Sequence, residues 1–257
     1  MIYKKSWKYI LIKDDSYWCK EYNYFRLKSL KDFSDVSKGD FGGYLKGYHN
    51  LSQKGDCWAY DNSRIFDSAR ISENVKLRND ASAYDNVLIK DNVEVLNSAR
   101  IRDNAIISGN AKISGNTYIG EHAIVCNSVK TSDFVRIFGS ARIFGNVRIY
   151  GLVEIYGNPK ITGDAVISKN THVYGKARIS GKAKLSGKHV RVHGNAVICD
   201  NAEVVGNANI CDNAIVKDNA IIKDDTKIFG DAIITGKSVI SGKNFISEDE
   251  YHNKIIK

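Results

Sequence analysis

From Asp61 onward the apolar and polar residues recur with a period of six, in units such as DNAIIS (103–108), GNAKIS (109–114), GSARIF (139–144), GDAVIS (163–168) and DNAIVK (212–217). With the unit positions numbered 1 to 6, position 5 is Ile, Leu or Val nearly everywhere, Ala83 and Thr131 being clear exceptions, and position 3 is mostly Ala or Val. Two inward residues separated by one outward residue predict a short β-strand over positions 3 to 5. Position 1 is Gly or Asp in 25 of 31 units, except for Glu73, Asn79, Asn97, Glu121, Asn127 and Lys169, and position 2 is frequently Asn. These are turn residues, because Gly and Asn tolerate positive φ while Asp and Asn hydrogen-bond local backbone. Residues 61–186 give 21 units without insertion, 187–193 form one seven-residue unit, and 194–247 give nine more.

A strand of three residues cannot bury its face alone, and a bend after every strand makes the chain coil. Successive turns then stack their inward Ile and Val side chains into one continuous core. The fold class is therefore all-β, a single-stranded parallel β-helix.

The hexads resemble the hexapeptide repeat of left-handed parallel β-helices, the fold of the trimeric acyltransferases, over residues 55–247. That resemblance implies the left hand and a three-sided section. Three units per coil then give about ten coils and, at roughly 4.8 Å per coil, a rod about 50 Å long. Upstream, FRLKSLKDFSDVSKGDFGGYLKGYHNLSQKGDCWAYDN (25–62) resembles the segment that precedes the hexads in YdcK-like proteins, with Leu30, Asp32, Phe33, Asp35, Val36, Gly42, Gly43, Leu51, Ser52, Gly55, Cys57, Trp58 and Tyr60 matching. Residues 1–54, with alternating aromatic and charged residues as in YWCKEYNYFRLKSL, read as an N-terminal β-rich cap of two or three antiparallel strands over the exposed end of the solenoid. Residues 55–247 are the β-helix, and 248–257 a tail that lies over the far end or frays.

Every third unit falls on one face, so residues 18 apart form columns. On the first face, position 6 runs Phe66, Tyr84, Arg102, Gly120, Phe138, Tyr156, Tyr174, His193, and position 4 runs Arg64, Ser82, Arg100, Tyr118, Arg136, Glu154, His172, Arg191. The candidate binding face is this ladder: Arg64, Phe66, Tyr84, Arg100, Arg136, Phe138, Tyr156, His172, Tyr174, Arg191 and His193. Its ring faces could stack on bases or sugars and its cations meet phosphate or carboxylate, or the rings could simply stabilise neighbouring strands. On the second face Leu88, Ile106 and Ile124, then Val197, Ile215 and Ile233, form apolar clusters that predict self-association as a dimer or trimer.

Composition adds constraints on chemistry. Lys plus Arg is 38 against 29 Asp plus Glu, a net +9. Cations occur on all three columns, which predicts at most weak, non-specific, salt-sensitive nucleic-acid binding. The five cysteines, Cys19, Cys57, Cys126, Cys199 and Cys211, lack CxxC or zinc-like spacing and read as reduced structural residues. No signal peptide or membrane span is recognisable, so the expected compartment is the cytoplasm.

Acyltransferases with this repeat use a histidine base near a loop that breaks the hexads, with acyl-CoA along the outside of the rod. Here residues 61–186 contain no loop, and the irregular unit GKHVRVH (187–193) places His193 near His172. If the chain is catalytic, His193 or His172 is the base. The leading expectation is instead a non-enzymatic binding or scaffold protein that self-associates and presents a rigid face to a protein partner, without metal or cofactor. The YdcK-like resemblance implies a phage or prophage protein acting in the host cytoplasm, where it would block a host complex. The alternative is an acyl-CoA-dependent hexapeptide-repeat acyltransferase.

Overall fold

The computed structural model describes residues 7–13 and 23–257; Cys19 and part of the aromatic run before Phe25 lie outside the described residues. β1 (Tyr9–Lys13) pairs antiparallel with β2 (Phe25–Ser29), and β2 pairs antiparallel with β3 (Phe41–Leu45). β3 then pairs parallel with Arg64–Ile65, so it is both the last cap strand and the first rung of the solenoid. Beyond it the chain is a parallel β-solenoid in which each rung bonds the rungs one turn away, as Arg64↔Ser82, Ser82↔Arg100 and Arg100↔Tyr118. Three strands make each turn, and the three faces are called A (through Arg100), B (through Ile106) and C (through Lys112). Among the described residues no helix is long and apolar enough to cross a membrane.

The solenoid has about 12 turns rather than ten. Leu51 bridges Ile71 and Trp58 pairs with Lys76, so the first turn closes before the hexads start. At the other end Glu250–His252 pairs with Ile233–Thr235 and Ile255 pairs with Val239, so the tail forms rungs instead of fraying. Strand pairing needs only an extended backbone beside an open edge, and neither segment has to carry the hexad pattern to satisfy that.

Positions 3 and 5 fill the core, from Ala69 and Ile71 to Ala232 and Ile234. Thr131, at an Ile position, is buried with its Oγ1 accepting from Thr117 Oγ1 at 3.0 Å, so the hydroxyl is satisfied. Position 1 has positive φ in every unit except at Gly187. At these corners the Asp carboxylates bond the next turn instead of local backbone: Asp61 accepts from Asn79 N–H at 2.7 Å, Asp91 from Gly109 at 2.7 Å and Asp103 from Glu121 at 2.8 Å. Asn side chains at position 2 continue the stacking, as in Asn74–Asn92–Asn110.

The cap closes the core with Tyr9, Leu27, Leu45 and Trp58, and Trp58 meets Tyr9 and Phe33 edge-on at 6.2 and 5.5 Å. Gly42 and Gly43 allow β3 to approach the first turn. A Cβ on Gly42 would sit 2.7 Å from the Trp58 ring, and one on Gly43 would collide with the Ser63 carbonyl. Asp35 ties the cap to the second turn through Lys76 (2.9 Å), Arg78 and Tyr60. The hydrogen bond from Tyr60, followed by those from the two cations, holds its carboxyl below the usual range.

Candidate functional site

Face A is not smooth. One groove is lined by Arg64, Phe66, Asp67, Asp80, Ser82, Tyr84, Ser98 and Arg100, and it continues through Arg100 into a second with Asn116, Tyr118, Phe134 and Arg136. Arg100 is thus the cation common to both. Phe66 stacks on Tyr24 of the cap at 4.0 Å. The space beside Gly120 is filled by the Tyr118 side chain, since a Cβ there would lie 2.5 Å from Tyr118 Oη, and the Tyr118 hydroxyl reaches Asp103 at 3.3 Å.

Below this gap the ladder is continuous. Phe138, Tyr156, Tyr174 and His193 stack near-parallel, with centroid separations of 5.3, 4.9 and 4.6 Å. The faces of the inner rings are covered by one another, leaving edges outward, which is the strand-stabilising use of such a ladder. His193 is half-buried, its Nε2 is 3.1 Å from Asn209 Oδ1, and burial pushes its pKa down.

The corner between faces C and A differs from the others along three successive turns. Here Arg148–Ile155, Val166–Val173 and Lys184–Val192 run as unbroken strands of eight, eight and nine residues, where most rungs have two. The seven-residue unit is accommodated as a register shift between Lys169 and Thr171, with Val190 and Val192 buried and Lys188 and His189 exposed. This corner gathers a chain of polar side chains. Arg136 Nη1 is 3.0 Å from Glu154 Oε1, and Glu154 Oε2 is 3.5 Å from His172 Nδ1. His172 Nε2 lies 3.2 Å from Asn170 Oδ1, and Asn170 Nδ2 lies 3.1 Å from His189 Nδ1. Arg191 sits beside His172 in register and is exposed.

The sequence columns place Arg136, Glu154, His172 and Arg191 together, but they do not reveal Asn170 and His189 beside His172. Side chains at position 2 point outward at the corner, and the reading by faces omits them. The same omission hides an exposed apolar group, Phe134 and Leu152 (both 58%) with Tyr150 (43%). Its signal is two large apolar residues 18 apart at a position that is frequently Asn. Leu88, Ile106, Ile124, Val197, Ile215 and Ile233 are half-buried. Of the cysteines, Cys57 and Cys211 are buried, and burial raises the Cys199 thiol to about 11.

No family profile matches the chain. It is similar to YdcK of Escherichia coli (strain K12), described as an uncharacterized acetyltransferase, with 38% identity over 53 residues. That stretch is 20% of this chain and 16% of YdcK. The match overturns the expectation of a non-enzymatic scaffold, since the similarity is to an acetyltransferase and favours the alternative of acyl transfer. Together, the β-solenoid and this match bear out the resemblance of the sequence to YdcK-like hexapeptide-repeat proteins.

Proposed function

We propose that the protein is an acyl-CoA-dependent acyltransferase, transferring an acetyl group, whose reacting centre is the C/A corner around His172. The observation that carries this reading is the Glu154–His172 pair at the opened corner, taken with the similarity to an acetyltransferase. A carboxylate beside one ring nitrogen fixes the imidazole and stabilises the imidazolium formed when the other nitrogen takes a proton. Arg136 Nη1, 3.0 Å from Oε1, holds the Glu154 carboxylate in place. An acceptor amine or hydroxyl replaces Asn170 Oδ1 at His172 Nε2, gives up its proton there and attacks the thioester carbonyl. The C–S bond breaks, and the CoA thiolate recovers the proton from His172.

The grooves of face A run from Arg64 through Arg100 to Arg136 on the same column as Glu154 and His172. Four turns separate Arg100 from His172, about 19 Å at roughly 4.8 Å per turn, room for an extended phosphopantetheine arm with its phosphates near Arg100. His193, stacked and partnered by Asn209, fits a supporting role better than that of the base.

The test is release of CoA thiol from acetyl-CoA with a panel of amine and hydroxyl acceptors. His172→Ala should lower turnover by about 10²- to 10⁴-fold. Glu154→Gln should lower kcat more than it raises KM. A folded protein that neither releases CoA nor binds acetyl-CoA saturably overturns the reading.

A further inference from the structure

The net charge of +9 is not spread along the rod. Residues 127–191 hold 12 Lys and Arg against 3 Asp and Glu, and the remaining residues hold 26 against 26. The whole net charge belongs to fewer than four turns. All three acids there are engaged: Asp133 accepts from Gly151 N–H at 3.0 Å, Asp164 from Asn146 Nδ2 at 2.9 Å, and Glu154 holds Arg136 and His172.

The cations concentrate at the corner between faces B and C. On face B, Arg142, Lys160 and Arg178 stand in register on successive turns. On face C, Lys130, Arg148 and Lys184 share a groove with corner Lys182. All seven are exposed, and among the described residues none forms an ion pair. Like charges stacked in register repel, so this arrangement opposes folding instead of supporting it. Phe144 is half-buried at the same corner, between Arg142 and Arg148 in sequence, and has no ring partner among the described residues, unlike the self-stacked ladder of face A.

We infer that the B/C corner of these turns is a binding site for the phosphodiester chain of a single-stranded nucleic acid. Two rows of cations flank a narrow ridge, which matches one flexible backbone better than a rigid duplex, and the Phe144 ring offers a base a surface to stack on. The site lies across face C from His172, so it stands or falls independently of acyl transfer. The columns of the sequence conceal it because the charge is concentrated along the axis and not on one face.

The test is fluorescence anisotropy with a labelled 20-mer of deoxythymidine over a range of salt. The variant Arg142→Ser, Lys160→Ser, Arg178→Ser should reduce the slope of log affinity against log salt by about 2, at roughly 0.7 per lost phosphate contact. A variant with Lys223→Ser, Lys237→Ser and Lys243→Ser, all exposed outside these turns, should leave the slope unchanged. Equal losses in both variants would mean diffuse attraction and overturn the site. A duplex or polyaspartate binding as tightly as the single strand would overturn the ligand class.

Discussion

Residues 61–126 and 127–191 are built from the same hexad around the same core, yet they solve the corner differently. The first segment places Asp, Glu or Asn at most of its positive-φ corners, and Asp61, Asp85, Asp91 and Asp103 each bond the backbone of the next turn. The second places Gly at most of them, from Gly139 to Gly181, and only Asp133 makes the equivalent bond. Glycine reaches positive φ without steric cost and needs no carboxylate to hold it there. The exchange also removes acids: the first segment has 8 Lys and Arg against 9 Asp and Glu, the second 12 against 3. The second segment also carries the opened corner and His172. Turn chemistry and surface charge are thus one choice, and the difference separates turns with acidic corners from the glycine-cornered turns that carry the opened corner.

The core should be indifferent to that choice. Ile107→Ala and Ile155→Ala, both fully buried, should each cost about 2–5 kcal/mol in urea unfolding. A much smaller loss at Ile155 would mean that opening the corner has loosened the packing, and the two segments would then differ in their cores too.

The corners should not be interchangeable. Gly163 has φ of 79°, and a Cβ there would lie 2.6 Å from the Gly181 carbonyl oxygen, so Gly163→Ala should cost about 1–3 kcal/mol. A neutral result would show that glycine at these corners is not a steric requirement.

Acid should separate the segments next. The backbone N–H of Gly109 first, and that of Glu121 first, hold the Asp91 and Asp103 carboxyls below their usual range. Such groups add stability above the unfolded value of about 4, and that stability is lost as pH falls toward and through the folded values. Hydrogen exchange between pH 6 and pH 2.5 should therefore show residues 61–126 losing protection before 127–191. The opposite order would break the link between Asp corners and stability.

The smallest effect has an unusual sign. Lys160→Ser removes the middle of three stacked cations and should stabilise the fold by about 0.2–0.5 kcal/mol. Destabilisation would mean that the Lys160 stem contributes packing that outweighs the repulsion.

The fold was legible because a period of six fixes both the inward Ile at position 5 and the corner at position 1, and each follows from residue type alone. The turns outside the hexads were not legible. Leu51, Tyr251 and Ile255 join the solenoid through backbone pairing, which leaves no mark on composition. The columns brought His172, Arg136 and Arg191 together, since 18-residue spacing maps directly onto neighbouring turns. Asn170 and His189 stayed hidden because a position that is elsewhere a stacking Asn gives no sign of a second use at an opened corner.

The central claim is that acyl-CoA is handled at the opened corner of residues 148–192. Histidine-selective NMR during titration with acetyl-CoA tests it most directly, because exposed histidines lie both inside and outside that corner. Saturable shifts of the His172 and His189 resonances, with those of His49 and His122 unmoved, are the predicted result. Absence of any shift at millimolar acetyl-CoA, or shifts confined to His49 and His122, would contradict the account.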